Sequence, residues 1–204
     1  MKNSDIHKVI EILHQLASQW KIPVVGRVSE SPPDPFKVFI SCILSLRTQD
    51  KTTSEAAKRL FQLADNPKSM IRLTPPQVEK TIYPVGFYRN KTRTILRISE
   101  QLVQKYNCRV PDEIDELLKF KGVGRKTANL VVTLGYGKLG ICVDTYVNPL
   151  NPQWGYVKTL APEKTEFALR EKLPPQYWIE FNHLLVALGQ NLCRPISPKC
   201  NLCP

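Results

Sequence analysis

Apolar residues recur every three to four positions along most of the chain, and this period predicts amphipathic α-helices rather than strands. The first such segment has one apolar face, and Ser4 or Asp5 can cap its start. The face comprises Ile6, Val9, Ile10, Ile12, Leu13 and Leu16. Because nearly every later segment repeats this pattern, the predicted fold class is all-α.

The segment Phe36–Leu46 differs from the others because its nine-residue run Val38–Leu46 is apolar on every side. Asp34 followed by Pro35 is typical of a helix start, since aspartate caps the helix and proline is tolerated in its first turn. A helix that is apolar all round is buried, so this one is predicted to be central, with Cys42 in the core. Further helices are predicted from Thr74 to Tyr83, Lys91 to Tyr106, Pro162 to Leu173 and Gln176 to Gln190.

The charge of the chain narrows the class of partner. Among 204 residues, 29 Lys and Arg stand against 18 Asp and Glu, giving a formal charge of +11. A short chain with so large a positive charge is expected to bind an anionic polymer, with an affinity that falls steeply as the salt concentration rises. No apolar run is long enough to span a membrane, and residues 1–5 lack the apolar region of a signal peptide. Six cysteines without a secreted disulfide pattern then predict a cytoplasmic protein.

The most informative motif is Lys121-Gly122-Val123-Gly124, which lies between the end of one short helix and the start of another. Two glycines around one apolar residue allow a tight turn with positive φ and the close approach of a ligand. The next helix starts at Arg125 with its N–H groups and positive dipole end facing the turn, which suits a phosphate. Because neither the dinucleotide-binding nor the P-loop spacing is present, a helix-hairpin-helix that binds a nucleic-acid backbone is favoured.

The hairpin is followed by Arg125-Lys126, by a helix start of small residues, and later by Asp144 in a Val-Asp-Thr sequence. This combination closely resembles the endonuclease III family, in the helix-hairpin-helix superfamily of DNA glycosylase/AP lyases. The resemblance implies that Lys126 is the nucleophile and that Asp144 activates it or stabilises the positively charged sugar. From the residues alone, a phosphate-binding role for Lys126 and a helix N-cap role for Asp144 stay open.

The same resemblance implies two helical lobes with an active-site cleft between them. The first lobe is expected over residues 27–139 and contains the hairpin. The second combines residues 1–26 with residues 140–204 and contains Asp144. The stretch Lys21–Pro35, rich in proline and glycine, is the expected boundary.

The implied activity is removal of an oxidised pyrimidine, such as thymine glycol, through a lysine Schiff base and beta-elimination. A lysine at position 126 favours this route, because adenine and thymine-mismatch glycosylases of similar fold carry other residues there. The implied partner is double-stranded DNA with damaged bases or abasic sites, and the protein is expected to bind it as a monomer at the nucleoid. A monovalent cation at the hairpin is expected to help binding. Two alternatives stay open: a monofunctional glycosylase for mismatched thymine or uracil, and a catalytically weak DNA-binding relative.

Two loops are expected to enter the DNA stack. In the family an S-x-Q-x-x-D stretch supplies a glutamine that fills the gap left by an extruded base. Here the stretch is Ser45-Leu46-Arg47-Thr48-Gln49-Asp50, so Arg47 takes that position and could also bind an orphan base.

The second loop follows Gly86 and carries two aromatic residues and two cations, which suit stacking on bases and holding of phosphates. These residues are Phe87, Tyr88, Arg89 and Lys91. Packing of Phe87 and Tyr88 under the next helix is the alternative. The place of this loop in the family's order of elements favours Phe87 as the intercalating residue. The complete predicted DNA-binding set is Arg47, Gln49, Phe87, Tyr88, Arg89, Lys91, Lys121, Gly122, Val123, Gly124 and Arg125.

After Asp144 the chain departs from the family pattern. Relatives continue with His and Arg residues in a regular helix, whereas residues 146–153 here contain Pro149 and Pro152. A straight helix cannot run through both prolines, because each lacks a backbone donor and clashes with the preceding turn. The phosphate contacts of this region are therefore in doubt.

The chain ends with Cys193, Cys200 and Cys203, a spacing typical of a metal site in a cytosolic protein. Thiolates suit zinc or an iron–sulfur cluster. The family pattern surrounds a 4Fe–4S cluster with four cysteines, of which three match and the fourth would fall beyond Pro204. The resemblance therefore implies a 4Fe–4S cluster, with zinc or no metal as the alternative.

Overall fold

The computed structural model of the protein describes residues 3–20, 34–144, 147, 153–159, 161–194 and 196–204. The chain divides into two compact units, one formed by Met1–Pro23 with Leu139–Pro204 and the other by Val24–Lys138. Every regular element within the described ranges is helical, which confirms the all-α fold class. Most of the predicted boundary (residues 21–33), and both Pro149 and Pro152, lie outside the described residues.

The helices, in chain order, have the following bounds. They are α1 (Asn3–Ala17), α2 (Pro35–Ser45), α3 (Asp50–Leu63), α4 (Pro67–Met70), α5 (Pro75–Ile82), α6 (Tyr88–Lys105), α7 (Ile114–Leu118), α8 (Arg125–Leu130), α9 (Pro162–Lys172) and α10 (Trp178–Asn191). A π-helical turn (Val131–Gly135) continues α8, and short 3₁₀ turns cover Pro175–Tyr177 and Cys200–Leu202.

The helix α2 is the centre of the Val24–Lys138 unit. Asp34 caps it, because one carboxylate oxygen accepts hydrogen bonds from the backbone N–H of Phe36 (2.9 Å) and of Lys37 (3.2 Å). All residues from Phe36 to Leu44 except Lys37 are buried, and α2 packs against α3, α6, α8 and the π-helical turn. The prediction of a central buried helix that starts at the Asp-Pro pair is confirmed.

An aromatic cluster joins α2 to the turn that follows α7. The ring of Phe39 is fully buried and meets the ring of Phe120 edge-on, with 5.7 Å between the centroids. Phe120 also lies 5.3 Å from the ring of Tyr106, whose hydroxyl donates to Glu116 at 3.1 Å. Because Phe120 directly precedes the glycine-containing hairpin, this cluster fixes the start of the hairpin against the core.

We predict that Phe39→Ala lowers the free energy of unfolding by about 3–5 kcal/mol, because it removes a buried ring and leaves a cavity. The matched control is Leu63→Ala, since Leu63 is 56% exposed. That change should alter stability by roughly 0.5 kcal/mol or less. Both values can be measured by urea denaturation. Equal losses for the two variants would contradict the central position of α2.

The other unit has its own apolar core. The side chains of Ile6, Ile10 and Leu13 on α1 are buried in one cluster with residues of α10 such as Phe181 and Leu185. These three residues belong to the apolar face predicted for the first helix, whereas Ile12 of that face is 37% exposed. Among the described helices, none combines the length and the apolar character that a membrane span requires.

Candidate functional site

The helical hairpin has a tight backbone turn between α7 and α8. Gly122 adopts φ of +93°, a conformation that is strained for residues with a side chain. The backbone N–H of Val123 donates to the carbonyl of Phe120 at 3.0 Å, and the Val123 side chain is buried. Gly124 is the N-cap of α8, and its carbonyl accepts from the N–H of Ala128 at 3.0 Å.

The two glycines of the hairpin differ in what the fold requires of them. Gly122 is needed for its positive φ. Gly124 has φ of −105°, which any residue can adopt, and among the described residues beyond its two chain neighbours a Cβ atom added there would meet no atom within 4 Å. Neither the backbone conformation nor internal packing therefore explains the glycine at position 124, which leaves space for a ligand to approach the backbone.

Lys126 lies in the first turn of α8, where it is half-buried while the next three residues are fully buried. Its positive charge acts on Cys42, a buried residue of α2. Burial raises the pKa of the Cys42 thiol to about 12, and the positive charge of Lys126 acts in the opposite direction. The Lys126 amine therefore lies within electrostatic range of the apolar helix at the centre of its unit.

Asp144 belongs to the other compact unit and is half-buried. It directly follows Ile141, Cys142 and Val143, which are buried and form no helix or strand. A buried apolar segment thus fixes the backbone immediately before the carboxylate. Residues 145 and 146, on which the N-cap alternative depends, lie outside the described residues.

The structure brings the two predicted DNA-contacting loops together. Arg47 and Phe87 both have left-handed backbone conformations, with φ of 52° and 57°. The guanidinium carbon of Arg47 lies 5.8 Å from the centroid of the Phe87 ring, and the Phe87 side chain is 60% exposed. The backbone N–H of Gly86 donates to the hydroxyl of Thr48 at 3.2 Å, which links the loops directly. Gln49 is exposed beside them.

The other predicted residues of the second loop are placed differently. Tyr88 is half-buried against the core, and its ring meets the ring of Tyr83 edge-on at 5.5 Å. Tyr88 therefore packs against the protein, which was the alternative to contact with DNA. Arg89 is exposed, with its guanidinium carbon 5.4 Å from the centre of the Tyr88 ring. Helix α6 begins at Tyr88 rather than at the predicted Lys91, because Phe87 turns the chain and its carbonyl accepts from the N–H of Lys91 at 3.0 Å.

Lys91 requires a correction, because it does not face solvent as a phosphate-binding residue would. Its side chain is 6% exposed, and its ammonium donates to the carbonyls of Leu44 (2.8 Å) and Leu46 (2.5 Å) and to the hydroxyl of Thr48 (2.9 Å). Thr48, whose hydroxyl accepts hydrogen bonds from both Lys91 and Gly86, was not predicted from the sequence to have a role here. A signal for the burial of Lys91 exists, since it falls on the apolar stripe of α6 with Ile95, spaced as one face of a helix.

The other two predicted DNA-binding cations of the hairpin are Lys121 and Arg125. Lys121 is exposed, and its carbonyl accepts from the guanidinium of Arg97 at 3.3 Å, which ties the hairpin to α6. Arg125 is half-buried at the start of α8. Gly122 and Gly124, which lie between these two residues in the chain, are also exposed.

The three cysteines predicted as metal ligands lie at the end of the chain, with Cys193 half-buried and both Cys200 and Cys203 exposed. Burial raises the pKa of the Cys193 thiol, and the charges of Cys203 and Cys200 raise it further, so the sulfurs lie within electrostatic range of one another. Within the described ranges, no group of three or more His, Cys, Asp or Glu side chains is arranged to hold a metal ion. The donor chemistry of the three thiols suits a thiolate-bound cluster.

Comparisons with known proteins agree on one family. A family model described as "HhH-GPD superfamily base excision DNA repair protein" matches residues 40–175. The endonuclease III of Thermotoga maritima is 44% identical over 170 residues, covering 83% of this chain and 80% of the relative. The endonuclease III of Bacillus subtilis is 34% identical over 175 residues, covering 84% of this chain and 78% of the relative.

A solved structure of a trapped endonuclease III–DNA covalent intermediate superposes with a TM-score of 0.88 at 30% identity. The match covers 100% of this chain and 93% of that one. These findings confirm the predicted family. They also confirm that the protein is an enzyme of DNA base excision repair and that its partner is DNA. The chain belongs to the HhH-GPD superfamily of base excision DNA repair proteins and, within it, to the endonuclease III family.

Proposed function

We propose that this protein is a bifunctional DNA glycosylase and AP lyase that removes oxidised pyrimidines, such as thymine glycol, from double-stranded DNA. The observation that carries the proposal is the position of Lys126, which lies half-buried in the first turn after the hairpin and beside the buried helix α2. A lysine amine attacks carbon only when unprotonated, and its ordinary pKa is about 10.4. An apolar setting with neighbouring cations favours the neutral amine.

The reaction proceeds in three steps that begin at the Lys126 amine. The nitrogen forms a bond to the anomeric carbon of the deoxyribose as the bond to the base breaks, and the base leaves with the electron pair and takes up a proton. Opening of the sugar ring then gives a Schiff base. Loss of a proton from the neighbouring sugar carbon expels a phosphate and cuts the strand. Asp144 activates the lysine or stabilises the positively charged sugar in the transition state.

The damaged nucleotide has to leave the base stack before this attack, because the anomeric carbon is not accessible inside a duplex. Unstacking costs roughly a few kcal/mol, and least for a damaged base. The exposed Phe87 ring and the Arg47 guanidinium above it are placed at adjacent loop tips, where they can occupy the emptied stack. The hairpin residues Lys121 and Arg125 hold the phosphates on either side.

We predict that Gly124→Ala weakens DNA binding without affecting the fold. The added Cβ has open space around it in the part of the chain that the structure describes. It does occupy the space into which a phosphate would come, so the dissociation constant should rise by about tenfold, equivalent to roughly 1.4 kcal/mol. Fluorescence anisotropy with a labelled duplex measures the affinity, and thermal unfolding measures the stability.

The matched comparison is Gly122→Ala, which forces a residue with a side chain into φ of +93°. This variant should lose stability by about 1 kcal/mol in addition to DNA affinity. If Gly124→Ala binds the duplex as tightly as the unaltered protein, the hairpin backbone does not contact DNA at this point.

The proposed activity is tested by following base release and strand cleavage separately on a duplex with one thymine glycol. Both products should appear together. Release of the base without strand cleavage would favour the monofunctional alternative, and duplexes with mismatched thymine or uracil would then be the substrates to compare. Tight binding without either product would instead support a DNA-binding relative without turnover.

We propose that Cys193, Cys200 and Cys203 hold a 4Fe–4S cluster whose role is to fix the end of the chain, since no step of the reaction requires it. The spacing of the three cysteines and the electrostatic effect of Cys203 and Cys200 on the Cys193 thiol support this proposal. Iron and sulfide content of the purified protein, together with visible absorbance, tests it, and zinc without iron would contradict it.

We also propose a monovalent cation at the hairpin turn, and a cytoplasmic location at the nucleoid, where the DNA substrate lies.

A further inference from the structure

Lys91 is an unusual residue for an apolar helix face, because its charge is buried in the first turn of α6. A buried ammonium is costly unless hydrogen bonds replace its water. Lys91 has three such bonds, to the carbonyls of Leu44 and Leu46 and to the hydroxyl of Thr48. An ammonium has three N–H donors, so all of its donor capacity is used.

The acceptors show what Lys91 holds in place. Leu44 and Leu46 lie at the carboxyl end of α2, where the last carbonyls lack partners within their own helix and the helix dipole is negative. The last turn of α2 contains no basic residue of its own, so a cation from α6 takes that role. The Thr48 hydroxyl accepts from Lys91 and also from the N–H of Gly86.

Lys91 therefore connects the two loops, of which one follows α2 and the other precedes α6. Their backbones are in close contact, because a Cβ added to Gly86 would lie 2.7 Å from the carbonyl oxygen of Arg47. The residues at the two tips, Arg47 and Phe87, are both held in the left-handed region. That conformation costs roughly 1 kcal/mol or more for a residue with a side chain, and it persists only where surrounding contacts impose it.

We propose that Lys91 is the positioning residue that fixes the Arg47 loop and the Phe87 loop as one rigid wedge for the DNA stack. The inference rests on the proposed function, because it assigns the extrusion of the damaged nucleotide to these two loops. Lys91 itself does not contact DNA. Burial also lowers the pKa of Lys91 to about 8, which agrees with an ammonium that the protein has removed from water and retained through its three acceptors.

The test compares two substrates that differ only in the need for extrusion. Lys91→Met keeps an unbranched side chain of nearly the same length and removes the charge and the three donors. Turnover of a duplex with thymine glycol should fall by about 10- to 100-fold, because a wedge displaced by about an ångström no longer fills the gap. Cleavage at an abasic site in single-stranded DNA should be unchanged, since no nucleotide has to leave a stack.

A fluorescent base analogue placed opposite the thymine glycol reports the wedge directly. Its fluorescence should change when the unaltered protein binds, and this change should be lost in Lys91→Met. The control is Lys105→Met, at the exposed end of the same helix, which should behave as the unaltered protein. If Lys91→Met does not fold, Thr48→Val removes the shared acceptor in a half-buried loop and should shift duplex turnover in the same direction.

Two results overturn the inference. Unchanged duplex turnover in both Lys91→Met and Thr48→Val would show that the loops do not depend on this contact. Equal losses on the duplex and on the single strand would show a general effect on the fold. If the unaltered protein itself acts on neither substrate, the proposed function fails, and the fluorescence of the base analogue still decides whether Lys91 controls the wedge.

Discussion

Lys126→Gln is expected to abolish strand cleavage while leaving DNA binding intact. Glutamine has a similar length but no nucleophilic amine, so cleavage at thymine glycol or at an abasic site should fall at least about a thousandfold. The change introduces no new charge beside Cys42, and Lys126 is half-buried, so the fold should be retained. Gel-based cleavage assays give the rate, and anisotropy gives the affinity for the same duplex.

The matched control for this variant is Lys121→Gln, in which an exposed lysine of the same hairpin is neutralised. Loss of one phosphate contact should weaken binding and reduce the slope of log affinity against log salt by about 1, with little effect on the cleavage rate of bound DNA. If Lys126→Gln instead shows the salt effect and retains cleavage, Lys126 is a phosphate-binding residue and not the nucleophile.

Asp144→Asn is expected to slow base release and strand cleavage by about 10²- to 10⁴-fold, because it removes the carboxylate that accepts a proton or stabilises the charged sugar. Asparagine caps a helix as well as aspartate does, so this substitution keeps a cap and removes only the charge. Single-turnover kinetics on the thymine glycol duplex measure the effect.

Glu171→Gln provides the control for Asp144→Asn, since Glu171 is an exposed carboxylate in the same compact unit. This change should leave turnover unaltered. Full activity of Asp144→Asn would indicate that Asp144 acts as a structural residue. A parallel loss in both variants would indicate a general effect on the fold of this unit rather than a role specific to Asp144.

Local sequence rules predicted the helices well where a residue acts on its own backbone. Asp34 and Pro35 start α2 because capping and a fixed φ need no distant partner. The burial of α2 followed from its apolar character on every side. The Gly122 turn likewise followed from the conformational freedom of one residue.

Tertiary contacts explain what the sequence did not predict. Lys91 was assigned to DNA because its charge follows an exposed aromatic residue, yet its partners on α2 and the next loop lie more than forty positions away along the chain. Its place on the apolar stripe of α6 conflicted with that assignment and indicated burial. Tyr88 packs against Tyr83 for a similar reason, since the start of α6 turns its ring towards the core.

Borohydride trapping is the most direct test of whether Lys126 forms a covalent Schiff base with deoxyribose. The unaltered protein is incubated with a duplex containing one thymine glycol in the presence of borohydride, which reduces the imine to a stable amine. Mass spectrometry then maps the attached sugar. The expected result is a trapped complex with the sugar on Lys126. Base release without any trapped complex, or a sugar attached to another residue, would contradict it.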